Sequence, residues 1–139
     1  MTITFTVPGV PVGKGRPRFM RNGHPYTPQK TKDYEALVLR CWKEQSGQEF
    51  AGGIPLSASI DAYFPVPKST SRKKAQKMDG TLYLHKPDSD NIAKGVLDAL
   101  NGSAYPDDCA VMIDGVWKRY TLDEPRVVVS IQAVGQEEL

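Results

Sequence analysis

Asp88, Asp90, Asn91 and Lys94 form the stretch of this chain best suited to chemistry. Asp88 and Asp90 are two positions apart. If they close a strand, their side chains leave the same face with alpha carbons about 6.6 Å apart. Two carboxylates at that spacing suit a hard divalent cation, which takes oxygen ligands and keeps several waters. From Asn91 onward the apolar pattern is helical. Ile92, Val96, Ala99 and Leu100 make one stripe, while Asp90, Lys94, Asp98 and Asn101 share the opposite arc. Asp90 or Asn91 is a suitable N-cap, and Asn101-Gly102 a suitable stop. Lys94 then stands one turn beyond Asp90, on the side the carboxylates face.

A second acidic pair, Asp107-Asp108, follows Tyr105-Pro106 and precedes the apolar run from Cys109 to Ile113. A helix of this length returns the chain to a sheet, so the second pair is placed to arrive beside the first. A plainer reading exists for each part. Asp90 caps a helix, Asp88 follows Pro87 in a turn, Lys94 pairs with Asp98, and Pro106 with its acids makes another turn. The conjunction of two acidic sites with a lysine favours catalysis over that reading.

The elements that must hold these residues follow from periodicity. Ile3, Phe5 and Val7 alternate in a half-buried first strand. Residues 8–17 are too rich in proline and glycine for a regular element and form a loop. Asn22-Gly23 signals a hairpin between Arg18–Arg21 and His24–Thr27. A helix capped by Thr27-Pro28 or Thr31 runs to about Ser46-Gly47, its core face made by Tyr34, Leu37, Val38, Cys41 and Trp42. Leu56, Ala58, Ile60, Ala62 and Phe64 mark a clean strand. Ser69–Ser71 cap a short helix through Met78 that is polar nearly all round and expected to be mobile. Leu82 to Lys86 leads extended into the Asp88 site. Cys109–Ile113 and Val116–Tyr120 make one interrupted strand or a hairpin around Asp114-Gly115, and Arg126–Val134 makes the last strand. Residues 136–139 read as a flexible tail. The pattern implies one α/β (α+β) domain over residues 1–139, a small mixed β-sheet packed against two main helices.

Composition narrows the function. The 139 residues include no apolar run of the ~18 needed to span a membrane, and no signal-peptide core, so a cytoplasmic location is expected. Cys41 and Cys109 give no disulfide framework and are expected to be buried thiols. Net charge is only +2, but its distribution is uneven. Residues 1–32 have no acid and carry Lys14, Arg16, Arg18, Arg21, Lys30 and Lys32. Residues 68–77, also without acid, carry Lys68, Arg72, Lys73, Lys74 and Lys77. Basic segments flanking an acidic cluster suggest a polyanion held over a metal site. Lys14, Arg16, Arg18 and Arg21, with Arg72, Lys73, Lys74 and Lys77, are the candidate DNA-backbone contacts. Tyr26 is a candidate for stacking on a base, although such a tyrosine more often packs on its sheet.

Asp88-x-Asp90-Asn91-x-x-Lys94, the helix end Leu97-Asp98-Ala99-Leu100-Asn101, and Asp107-Asp108 together resemble the RusA-type Holliday junction resolvases. The likeness extends to the first strand, the loop at 13–19 and the helix entry at 26–34. It implies a magnesium-dependent homodimer, with Mn²⁺ as a substitute ion, that binds four-way junction DNA and makes paired nicks across the branch. The family's acidic residues map onto Asp88, Asp90 and Asp108 and its lysine onto Lys94, with Asp107 an alternative to Asp108 as metal ligand. Ser89, Cys109-Ala110 and Ile113 depart from the family pattern. The rival readings are a non-catalytic nucleic-acid-binding module, in which the acids merely cap and turn, and a general PD-(D/E)xK nuclease. The latter needs an acid-x-Lys on a following strand, which is missing.

Overall fold

The computed structural model describes residues 1–135; the tail expected at 136–139 lies outside the described residues. In chain order the elements are β1 (Thr2–Pro8), β2 (Arg18–Phe19), β3 (Pro25–Tyr26), α1 (Gln29–Gln45), β4 (Leu56–Pro65), α2 (Arg72–Met78), α3 (Ser89–Leu100), β5 (Val111–Thr121) and β6 (Arg126–Ala133). Four strands form a mixed sheet in the order β1-β6-β4-β5. The β4–β5 pair is parallel and the other two pairs are antiparallel. β2 and β3 form a separate hairpin.

Alternation decides which face of the sheet is covered. Ile3, Phe5 and Val7 of β1, the alternate residues Leu56 to Phe64 of β4, and Val127, Val129 and Ile131 of β6 are all buried. Onto that face pack α1, through Tyr34, Val38, Cys41 and Trp42, and α3, through Ile92, Val96 and Leu100. Each large aliphatic chain buried this way contributes roughly 1.5–3 kcal/mol, so the shared core holds both helices in register with the sheet. The opposite face is polar, with Thr4 against Ser130, Arg119 on Asp61 and Arg126 over the Tyr63 ring. Trp42 lies in the core.

Parallel neighbours need a crossover, and α3 supplies it between β4 and β5. α3 has 12 residues, so it carries the chain about 18 Å from its own start. Its end is tied down by the Tyr105 hydroxyl, buried and donating to the Leu97 carbonyl at 2.7 Å. β5 then runs back beside α3 as one continuous strand. Its register against β4 slips at Ala58/Ser59, with Asp114 as the extra residue. The interruption expected at Asp114-Gly115 is therefore a bulge, which costs one pairing position without breaking the strand. Cys109 is exposed, contrary to expectation. A single 3-10 turn, Asp108–Ala110, precedes β5 and holds Cys109 outside the sheet, whereas Cys41 is buried.

Candidate active site

Asp88 and Asp90 do not close a strand. Pro87 joins the preceding segment through a cis peptide, and Asp88 is the N-cap of α3 in extended geometry, with Asp90 in the first turn. The helix begins two residues earlier than its apolar stripe suggests, because polar first-turn residues add no periodic signal. Both carboxylates are exposed, and neither takes part in a hydrogen bond or ion pair among the described residues. They sit where the positive end of the helix dipole favours negative charge. Lys94 is exposed one turn further on. The plain pairing of Lys94 with Asp98 does not form, since Asp98 meets Lys14 instead.

Asp108 lies beyond the far end of α3, where it opens the 3-10 turn Asp108–Ala110. Its backbone N–H donates to the Asn101 side chain at 2.9 Å, and its carboxyl stands beside those of Asp107 and Asp98. Lost hydration, and then those neighbouring negative charges, raise the Asp108 pKa. Asp107 is shifted the other way, because the Cys109 N–H donates to its carboxylate at 3.0 Å. Asp98 is eight residues beyond Asp90, about 12 Å along the helix. Asp88 and Asp90 thus mark one end of a single helical face, Lys94 its middle and Asp108 the other end. No three His, Cys, Asp or Glu side chains among the described residues stand close enough together to hold one ion. The exposed pair Asp88 and Asp90 does match the donor chemistry of Mg²⁺, which binds through one or two carboxylates and keeps most of its waters.

The strand that returns beside the Asp88 site brings a lysine rather than an acid. Lys118 of β5 donates from Nζ to the carbonyls of His85 and Pro87 at 2.8 and 2.9 Å. Its ammonium also lies 5.7 Å from the centre of the Tyr83 ring, which stacks on Phe64 at 3.8 Å. Thr81 and Tyr83 bond to the same strand, through Tyr120 N to Thr81 O and Tyr83 N to Lys118 O. The approach to Asp88 is thereby fastened to the sheet edge. Sequence reading missed Lys118. The available signal was a lysine on the inward phase of a strand opposite Ala62, a position that apolar residues ordinarily fill.

The basic loop is docked, not loose. The Lys14 N–H donates to the Asn91 carbonyl of α3 at 2.9 Å, and the Gly15 N–H donates to Thr31 Oγ1 at 3.1 Å. A side chain at Gly13 would place its Cβ 2.6 Å from the Pro87 Cβ, and one at Gly15 would come 2.8 Å from Thr31 Oγ1. Both positions need glycine for space. The Lys14 ammonium, read as a DNA contact, is paired with Glu35 of α1 and, at 3.1 Å, with Asp98 of α3. Burial works against its charge, but the two carboxylates outweigh burial and raise its pKa. Lys14 therefore fastens the loop to both helices.

Between this loop and the start of α3 opens a cleft of about 590 Å³. Arg16, Arg18, Lys30 and Lys86 line it together with Pro87 and Asn91, and these four cations form no ion pair among the described residues. Arg21 lies on the neighbouring hairpin. Arg72, Lys73, Lys74 and Lys77 lie on α2, capped by Ser71, whose hydroxyl accepts from the Lys74 N–H.

The chain matches the family model described as Endodeoxyribonuclease RusA over residues 8–132. It belongs to the RusA endodeoxyribonuclease family. It is also 42% identical to a Bacillus subtilis (strain 168) protein called Uncharacterized protein YqaN, over 139 aligned residues covering 95% of this chain and 96% of that one. No helix among the described residues is long and apolar enough to cross a membrane.

Proposed function

We propose that this chain is a Mg²⁺-dependent, structure-specific endodeoxyribonuclease that acts as a homodimer on four-way junction DNA, making paired nicks across the branch in recombination and repair. The observation that carries the reading is the pair of exposed carboxylates Asp88 and Asp90 at the start of α3, unengaged among the described residues. Lys94 stands one turn on, and a cleft lined by four cations that form no ion pair among the described residues adjoins them. Phosphodiester hydrolysis needs this juxtaposition, since an anionic backbone must be brought up to acidic residues that would otherwise repel it.

Asp88 and Asp90 would hold the ion, which when bound supplies Lewis-acid polarisation of the phosphoryl group and activation of a water. Mn²⁺ would serve in its place. Arg16, Arg18 and Lys30 hold the strand by its phosphates. Lys94 sets a positive charge where negative charge grows on the phosphoryl oxygens. Asp108 adds an acidic position at the far end of the same helical face, with Asp107 its alternative. Arg21 and the α2 cations Arg72, Lys73, Lys74 and Lys77 extend the backbone contact beyond the cleft.

Two active sites related by a twofold axis suit a branched substrate of similar symmetry. The two sheet edges differ in a way that favours one of them for pairing copies. β1 is covered where Gln45 exchanges hydrogen bonds with the Thr6 backbone. The outer edge of β5 has no partner strand before Lys118 among the described residues, and it exposes Met112, Ile113 and Trp117.

The test is a nicking assay on a synthetic four-way junction and on linear duplex, with and without Mg²⁺. Asp88→Asn and Asp90→Asn are expected to bind the junction while cleaving it about 10²–10⁴-fold more slowly, the scale of a lost Lewis-acid contribution of several kcal/mol. Full nicking by both variants would remove these residues from the mechanism, and metal-independent cutting would remove the ion.

A further inference from the structure

We infer that the β2–β3 hairpin is a nucleobase-binding site, where Phe19 and Tyr26 receive bases unstacked at the branch of the DNA. The inference rests on the reading above and extends it from the phosphate backbone to the bases.

The hairpin is closed by backbone pairing. Arg18 pairs with Tyr26 and Phe19 with Pro25. Met20 N–H donates to His24 O at 2.8 Å, and Gly23 N–H returns to Met20 O at 2.9 Å. Gly23 has φ +84°, a conformation that favours glycine. Yet the side chains this frame presents are not those of a solvated turn. Phe19 is 70% exposed, Met20 56% and Tyr26 43%. Phe19, Met20, Arg21 and Tyr26 together line one open depression of about 460 Å³. Neither Phe19, Met20 nor Tyr26 belongs to the hydrophobic core or to the partly buried residues packed against it.

An exposed cluster of this kind, held on a hydrogen-bonded turn, suits a binding surface. Its surroundings indicate what binds. Arg18 and Arg21 flank the rings, residues 1–32 contain no acid, and Arg18 also lines the basic cleft. The hairpin thus continues the groove assigned to the DNA backbone. Aromatic faces beside arginines along a cationic groove suit unpaired bases, because every base offers a π-face whatever its sequence. Intact duplex hides those faces. A branch point exposes them, so stacking here would favour branched over linear DNA without reading sequence.

The experiment compares the full chain with Phe19→Ala and Tyr26→Ala in equilibrium binding to a four-way junction and to linear duplex, without metal so that nothing is cut. Each variant is expected to lose roughly tenfold in junction affinity, the scale of one lost base–aromatic contact, with duplex affinity and salt dependence unchanged. Equal losses on both DNAs, or none on either, would overturn the inference. So would conversion of a dimer to a monomer by Phe19→Ala in sedimentation, which would make the hairpin a contact between copies. Should the unaltered protein bind junction and duplex alike, the junction reading falls by itself. The hairpin is then judged from a Phe19→Trp protein. Quenching of the added emission by a single-stranded oligonucleotide, and not by duplex, sustains base stacking, whereas its absence refutes it.

Discussion

Replacing Lys118 by methionine removes an ammonium while keeping the apolar stem, and so isolates what the ammonium holds. Its two hydrogen bonds, at 2.8 and 2.9 Å, fix the carbonyls of His85 and Pro87. Pro87 immediately precedes the N-cap Asp88. Hydrogen bonds from a charged donor contribute about 1.5–3 kcal/mol each when well shielded. Lys118 is half-buried, so about half of that sum is the better figure, on the order of 1.5–3 kcal/mol for the pair. For a chain of this size that lowers the melting temperature by roughly 4–10 °C. The larger effect falls on the chemistry. A displacement of about 1 Å in a catalytic group can cost on the order of 10²-fold, and segment 85–88 loses its tether to β5. Single-turnover nicking of a four-way junction, with protein and Mg²⁺ in excess, should therefore slow by about 10²-fold, while junction affinity stays within a few-fold. Lys118→Arg should recover part of the rate, since its guanidinium can still reach both carbonyls. If Lys118→Met unfolds more easily yet cleaves within twofold of the unaltered protein, β5 does not position Asp88.

Lys14→Met should lower stability by roughly 1–3 kcal/mol through loss of a partly buried charge bonded to Glu35 and Asp98. The folded-state pKa of Lys14 is raised above its ordinary value, so this contribution is complete at neutral pH and fades as pH rises past that of an ordinary lysine. Denaturation curves of the variant and the unaltered protein should converge only in strong alkali. The same variant should leave the salt slope of DNA binding nearly unchanged, whereas Arg16→Ala should reduce it by about one ion. Gly13→Ala must move Pro87 or the loop, since its Cβ would sit 2.6 Å from the Pro87 Cβ. A loss of about 1–3 kcal/mol in denaturant unfolding is expected, and no change in melting would show that the loop is not packed on α3.

Much of this molecule is legible from local pattern. The period-2 runs in β1, β4 and β6, the amphipathic faces of α1 and α3, the Asn22-Gly23 hairpin and the Ser71 cap of α2 all depend on residues within a few positions of one another. The placing of Asp90 and Lys94 one turn apart on α3 is local too, because the spacing of turns is set by the helix itself. Tertiary structure decided where non-neighbours meet. The length of α3 separates Asp108 from Asp90, and the returning strand, which determines what stands beside Asp88, delivers Lys118. Lys14 looks like any cation of a basic loop until α1 and α3 converge and present Glu35 and Asp98 to it. Likewise Cys109 reads as apolar, yet it is left outside the sheet by the 3-10 turn. Periodicity records which face a residue occupies, but it carries no information about which distant segment covers that face. That is settled by packing two helices on one side of a four-stranded sheet.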